Sequence, residues 1–121
     1  MFNILPILTN STQIDKHISI TFDDGYESVY ANAFPIMEEY SLKGIVFPIS
    51  GYIGKTNDWD VTFGINKTMH LNISQLLTLS EHGWEIGSHS HIHRSFKWMN
   101  NDEIKDEVVT SKRIIENITG K

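Results

Sequence analysis

The sequence contains no cysteine, no cluster of basic residues and no hydrophobic run long enough to cross a membrane. The first absence excludes disulfide bonds and thiolate metal ligands, although it fits either an oxidising or a reducing compartment. The second, together with a net charge of −5, argues against a nucleic-acid partner, because phosphate binding requires grouped Lys and Arg side chains. Residues 1–8 are apolar but make a poor secretion signal, since they lack a basic start and contain Pro6.

With 121 residues, 40% hydrophobic and 21% charged, the chain has the size and composition of a soluble domain. We interpret residues 1–121 as a single domain that is large enough to bury an ordinary core.

Hydrophobic patterning predicts alternating strands and helices. The predicted strands are residues 17–22, 44–50 and 84–88. The predicted helices are residues 26–40, restarted by Pro35, a short helix capped by Ser74 and closed by Gly83, and a longer helix capped by Asn101 and stopped by Gly120. This alternation indicates an α/β fold with parallel β-strands and crossover helices.

Two polar motifs follow the first and third predicted strands. Residues 21–25 read Thr-Phe-Asp-Asp-Gly, and residues 89–93 read His-Ser-His-Ile-His. Because α/β folds place their chemistry at the carboxyl ends of the strands, the two motifs are expected to share one site.

Each motif also has an interpretation that involves no functional site. Asp-Asp-Gly alone most often forms a turn. In the functional interpretation, one of Asp23 and Asp24 reaches a metal while the other faces the substrate as a base. A lone histidine is usually a surface or core residue, but here His89 and His93 can converge on one cation while His91 points away to the surface or a rim. Such ligands suit zinc or a similar first-row ion, whereas an adventitious metal-binding loop is the alternative.

Together the motifs resemble those of the polysaccharide deacetylases, also called carbohydrate esterase family four or the NodB-homology domain. Residues 21–25 match the first family motif in full, and His89, Ser90 and His93 match the second, His-Ser/Thr-x-x-His. The resemblance covers nearly the whole chain from residue 17 onward, and it implies part of a distorted (β/α) barrel.

The resemblance implies a role for each matching residue. Asp23 would be the general base, and Asp24, His89 and His93 would bind Zn²⁺ or another first-row ion such as Co²⁺. Ser90 would brace the loop by hydrogen bonding. The implied reaction is metal-dependent removal of acetyl groups from N-acetylated amino sugars of a polysaccharide or oligosaccharide, through a metal-bound water and the Asp23 base. O-deacetylation of acetylated sugars is the nearest alternative.

Two smaller features of the sequence depart from the family pattern or add to it. Arg94 stands where many members have proline, and it is either a solvated charge or a substrate contact. The aromatic residues Tyr52, Trp59 and Phe63 of the long connection at residues 51–70 either close a core or stack on sugar rings.

The larger departure is the length of the chain. The family's later motifs, with arginine, tryptophan and the general-acid histidine, would follow residue 121. We therefore expect the 121-residue chain alone to be incomplete and inactive, with a non-catalytic metal- or sugar-binding remnant as the alternative. An open sheet edge would allow homo-oligomers to form. The resemblance suggests the cell envelope or secretion, and the chain is otherwise cytoplasmic.

Overall fold

The computed structural model describes residues 18–58 and 68–121. Within them, three strands form a parallel sheet in the order β1-β2-β3. The strands are β1 (Ile20–Asp24), β2 (Gly44–Pro48) and β3 (Glu85–Ile86). Parallel strands connected by helices confirm the predicted fold class.

The crossover from β1 to β2 is helical. A π-helical turn (Val29–Ala33) runs directly into α1 (Phe34–Glu39). Pro35 lies in the first turn of α1, directly after the π-helical turn. The predicted second helical piece is present, but it begins at Phe34, one residue before Pro35, and continues from the π-helical turn without a break.

Helix α2 (Ile73–Glu81) follows the long connection and leads into β3. Its cap is Asn72, whose side chain accepts a hydrogen bond from the Gln75 N–H while the Gln75 side chain accepts one from the Asn72 N–H. The predicted cap at Ser74 is wrong because this reciprocal capping box starts the helix two residues earlier.

Helix α3 (Asn101–Thr119) is the longest element among the described residues. Asn100 caps it through a second capping box with Glu103, so the predicted cap at Asn101 is wrong by one residue. The predicted stop at Gly120 is confirmed, since Gly120 adopts the left-handed conformation with φ of 70°.

The core lies between the sheet and the helices. Its fully or almost fully buried members are Val29, Met37, Val46, Leu71, Leu76, Leu79 and Trp84. The Trp84 ring stacks on Phe22 at a centroid distance of 5.6 Å. A Cβ at position 44 would lie 2.6 Å from the same ring, so β2 must begin with glycine for Trp84 to pack against it.

Strand β3 is shorter than predicted, but its pairing with β2 continues beyond it. Gly87 and His89 donate backbone hydrogen bonds to the Val46 and Pro48 carbonyls, at 2.8 and 3.1 Å. Since Asp24 is the register partner of Pro48, this pairing brings residue 89 to the same edge of the sheet as Asp24.

The outer side of β3 pairs with no strand among the described residues. A cavity of about 630 Å³ lies there, between β3 and α3. Pairing of copies along this edge stays a prediction. Of the loop aromatics, Trp59 and Phe63 lie outside the described residues. No helix within the described ranges is both long and apolar enough to cross a membrane.

Candidate metal centre

The side chains of Asp24, His89 and His93 converge at the carboxyl edge of the sheet. Asp24 Oδ1 lies 3.2 Å from His89 Nε2 and 3.4 Å from His93 Nε2. One ligand atom from each residue lies within 4.8 Å of the others, and all three side chains are half-buried. The structure thus brings together the three residues that the resemblance implies as ligands.

The chemistry of this triad fits a divalent cation. Asp24 Oδ1 is buried and has no hydrogen-bond partner among the described residues, an arrangement that costs free energy unless a positive group compensates it. Two imidazoles and one carboxylate are a common ligand set for catalytic zinc, and three protein ligands leave a fourth position for water or substrate.

Asp24 is held in an unusual backbone conformation. Its φ is 65°, in the left-handed region, where a residue other than glycine costs about 1–3 kcal/mol. Gly25 follows with φ of 67°, and a Cβ there would lie 2.8 Å from the Pro48 Cα. The glycine of the motif is therefore required both by the turn and by the close approach of β2.

A buried histidine that the sequence did not single out supports this turn. His70 is 2% exposed, and its Nδ1 lies 2.9 Å from the Asp24 carbonyl oxygen. Because a carbonyl only accepts, Nδ1 carries the proton and donates. The ring is stacked against Tyr26 at 4.8 Å and contacts Tyr52 at 5.4 Å. Tyr52 therefore packs within the fold, as the core interpretation expected.

The loop that carries the histidines also contains left-handed residues. Ser90 has φ of 64° and His93 has φ of 58°. Ser90 Oγ accepts a hydrogen bond from the His93 N–H at 3.2 Å, which closes the loop on itself. Strained backbone of this kind is retained where surrounding contacts over-determine it, and it often marks functional sites.

Two side chains from α3 contact the same loop. Glu107 Oε2 accepts hydrogen bonds from the His91 and Ile92 N–H groups at 2.8 and 2.9 Å. Ser111 Oγ donates to the Ser90 carbonyl at 2.9 Å and lies 2.6 Å from Ser88 Oγ. Sequence reasoning missed both residues, because a charged and a small polar side chain on a helix are typical of a solvated face.

The remaining motif residues lie outside the triad. The His91 Nδ1 lies 2.9 Å from Ser50 Oγ, so that this histidine is half-buried and ties the loop to the 3₁₀ turn after β2 (Ser50–Tyr52). Asp23 is exposed on β1 and is not a member of the ligand cluster. Arg94 is half exposed and lies 3.6 Å from Glu103, as a solvated charge would.

A cavity of about 550 Å³ opens beside the two histidines of the triad. Arg94, Phe96 and Val108 contribute to its wall. The two histidines of the triad therefore border a concave space that can admit a ligand.

The sequence profile described as Polysaccharide deacetylase matches residues 10–121, and the chain belongs to that family. A poly-β-1,6-N-acetyl-D-glucosamine N-deacetylase from Staphylococcus epidermidis is 31% identical over 102 residues, which are 82% of this chain and 33% of that relative. The family expectation drawn from the two motifs is confirmed.

Solved structures show the same fold. The Streptococcus pyogenes deacetylase PplD, in complex with acetate, superposes with a TM-score of 0.79 at 20% identity, over 97% of this chain and 47% of that one. IcaB from Ammonifex degensii gives a TM-score of 0.69 at 18% identity, over 85% and 46%. The chain thus spans a third of the S. epidermidis relative and about half of the matching structures.

Proposed function

We propose that this chain carries the metal-binding portion of an enzyme that removes acetyl groups from N-acetylated amino sugars in a polysaccharide. The observation that carries the proposal is the convergence of the Asp24, His89 and His93 side chains. The Oδ1 atom of Asp24 is buried and lacks a hydrogen-bond partner among the described residues. Family membership supports the reaction class, and the name of the S. epidermidis relative supports an N-acetylglucosamine polymer as substrate.

Asp24, His89 and His93 would hold the cation, with Zn²⁺ or a similar ion such as Co²⁺ suited to imidazole and carboxylate ligands. When bound, such a cation supplies a Lewis acid that polarises the acetyl carbonyl and stabilises the negative charge that develops on its oxygen. The left-handed conformations of Asp24 and His93 set the directions of their side chains.

Asp23 would act as the general base. Its side chain is exposed and stays out of the ligand cluster, so its carboxylate is available to take a proton from the attacking water. The new C–O bond forms at the acetyl carbon and the C–N bond breaks. The nitrogen takes up one proton and leaves as an amine, which balances the proton that Asp23 removes from water. The products are acetate and a free amino sugar.

Acetate release from N-acetylglucosamine oligosaccharides tests this function in the natural polypeptide that carries these residues. We expect release to stop on chelation and to return when zinc is added. In Asp23→Asn, zinc binding should persist while the rate falls by about 10²–10⁴-fold, the usual contribution of general acid–base catalysis. Asp106→Asn makes the same chemical change at an exposed position on α3 and should leave the rate unchanged.

Two results would contradict the proposal. Zinc binding without acetate release would indicate a metal- or sugar-binding remnant. Release from O-acetylated xylan alone would assign the chain to O-deacetylation instead.

A further inference from the structure

We propose that Glu107 is a positioning residue that holds residues 89–93 in the shape that turns His89 and His93 towards Asp24. The inference rests on the proposed metal site and concerns how that site is kept in its geometry. Nothing in the two sequence motifs includes this residue, which lies on α3, 14 positions beyond the last histidine of the motif.

Glu107 satisfies two backbone donors at once. Its Oε2 accepts from the His91 N–H at 2.8 Å and from the Ile92 N–H at 2.9 Å. The residue is only 8% exposed, and it is the one buried acidic residue within residues 18–58 and 68–121. Hydrogen bonds to a carboxylate are stronger than those to a neutral acceptor, and burial strengthens them further.

These two N–H donors lie in the middle of the loop at residues 89–93. His91 and Ile92 are the residues between Ser90 and His93, which both adopt left-handed conformations. A segment with two such residues keeps its shape only when its surroundings impose it. Fixing the two intervening N–H groups fixes where the chain re-emerges at His93, and with it the direction of the His93 ring.

Other contacts to the loop use different atoms, since the Ser50 and Gly51 N–H groups donate to the Ser90 and His91 carbonyls at 3.2 and 2.8 Å. Ser111 Oγ donates to the Ser90 carbonyl at 2.9 Å, and His91 is tied through its side chain to Ser50 Oγ. Without Glu107, the N–H groups of His91 and Ile92 would lose their acceptor, and the loop would relax towards conformations that water can satisfy. The cation ligands would then no longer be pre-arranged.

The test is the dissociation constant for Zn²⁺, measured by competition with a chromophoric chelator on the natural polypeptide that carries these residues. Glu107→Ala removes the acceptor, and Glu107→Met removes it while keeping a side chain of similar length. We expect both to weaken zinc binding by about 10- to 100-fold, as loss of residues that orient metal ligands usually does. The zinc affinity of Glu107→Gln should lie between those of these variants and the parent, because its amide oxygen still accepts a hydrogen bond but carries no charge.

Asp106→Ala is the matched control. It removes one carboxylate from the adjacent, exposed position of the same helix and should leave zinc affinity unchanged. Thermal unfolding with and without zinc adds a readout that separates positioning from general stability. A positioning role shrinks the rise in Tm that zinc produces, whereas a purely structural role lowers both Tm values together and leaves the dissociation constant alone.

The outcomes separate this inference from the proposed function. If the parent chain binds no zinc, both are overturned. If the parent binds zinc and the variants of Glu107 that fold bind it equally well, only the positioning role is overturned. If Glu107→Ala does not fold, the Met and Gln variants give the same decision.

Discussion

Asp24 and the two histidines reach one point from segments that are built differently. The aspartate arm (residues 20–25) is the five-residue strand Ile20–Asp24, which is paired with β2 along its whole length, followed by Gly25. The histidine arm (residues 87–95) leaves a strand of only two residues and forms a loop. Backbone pairing positions the first arm, whereas side chains from α3 reach across to support the second.

Because of this difference, the two arms are expected to lose cation binding in different ways. In the aspartate arm, the ligand is held mainly by its place in the sheet, with one added hydrogen bond from His70 to the Asp24 carbonyl, so a large disturbance requires disturbing the fold. In the histidine arm, the loop geometry depends on contacts from a distant helix, so affinity for a cation can be lost while the fold persists.

The largest effect is expected from removing a ligand in either arm. Asp24→Ala and His93→Ala each leave two of three protein ligands, so each should abolish zinc binding measured by isothermal titration calorimetry. His91→Ala removes a neighbouring imidazole outside the triad, together with its contact to Ser50, and should weaken binding far less. Binding that survives in His93→Ala but is lost in His91→Ala would show that the wrong histidine has been assigned.

Gly25→Ala should disturb the aspartate arm by destabilising the fold. The new Cβ would lie 2.8 Å from both Pro48 Cα and Cβ, at a position where φ is also 67°. We expect the free energy of unfolding, measured by urea denaturation, to fall by about 1–3 kcal/mol or more. Gly120→Ala is the matched control, because it has φ of 70° but meets nothing within 4 Å. Equal losses in the two variants would exclude the crowding against β2 as the cause.

A smaller effect is expected at His70, the side chain that supports the aspartate arm. His70→Leu removes the donor to the Asp24 carbonyl and should weaken zinc binding by about 10-fold, the lower end of the range for residues that orient ligands. His70→Asn places an N–H donor near the same position and should recover part of the loss. If Asn and Leu behave alike, the Nδ1 hydrogen bond does not matter to the site.

The smallest effect is expected outside both arms, at Glu38 and Lys43. A hydrogen bond from Lys43, with the attraction of its charge, lowers the pKa of Glu38 below 4.5, the value for an unperturbed glutamate. A group whose pKa is lower in the folded state stabilises the fold above its unfolded pKa, and this contribution is lost as pH falls through the folded value.

Glu38→Gln should therefore lower Tm slightly near neutral pH, by an amount that disappears in acid, and it should not change zinc affinity. Parallel thermal melts of the parent and the variant from neutral to acidic pH would measure the difference in Tm. A gap in Tm that stays constant into acid would contradict the ion pair as its cause.

The general fold and the triad could be predicted from local patterns. Alternating strands and helices imply a parallel sheet, and the carboxyl ends of neighbouring parallel strands share one edge. Hence two motifs that are 64 positions apart, at residues 25 and 89, could be expected to meet. The helix caps were misplaced because several polar residues stand near each helix start, and only the reciprocal side-chain geometry selects among them.

The residues that support the triad were not predictable in the same way. Glu107 carries a charge, which is the mark of a solvated helix position, and only the docking of α3 against the loop buries it. His70 lies in a long connection without a repeating pattern, and its contact with Asp24 spans 46 positions. Such roles arise from long-range packing, which a residue's local sequence does not encode.

The zinc-edge X-ray absorption spectrum of the zinc-loaded chain tests the central claim most directly, because it reports the ligands around the metal. Coordination by Asp24, His89 and His93 predicts one site with two imidazoles and oxygen ligands at about 2.0–2.2 Å. It also predicts that one imidazole contribution is lost from any zinc that remains bound in His93→Ala. A spectrum without imidazole scattering, or one that is unchanged in His93→Ala, would contradict the account.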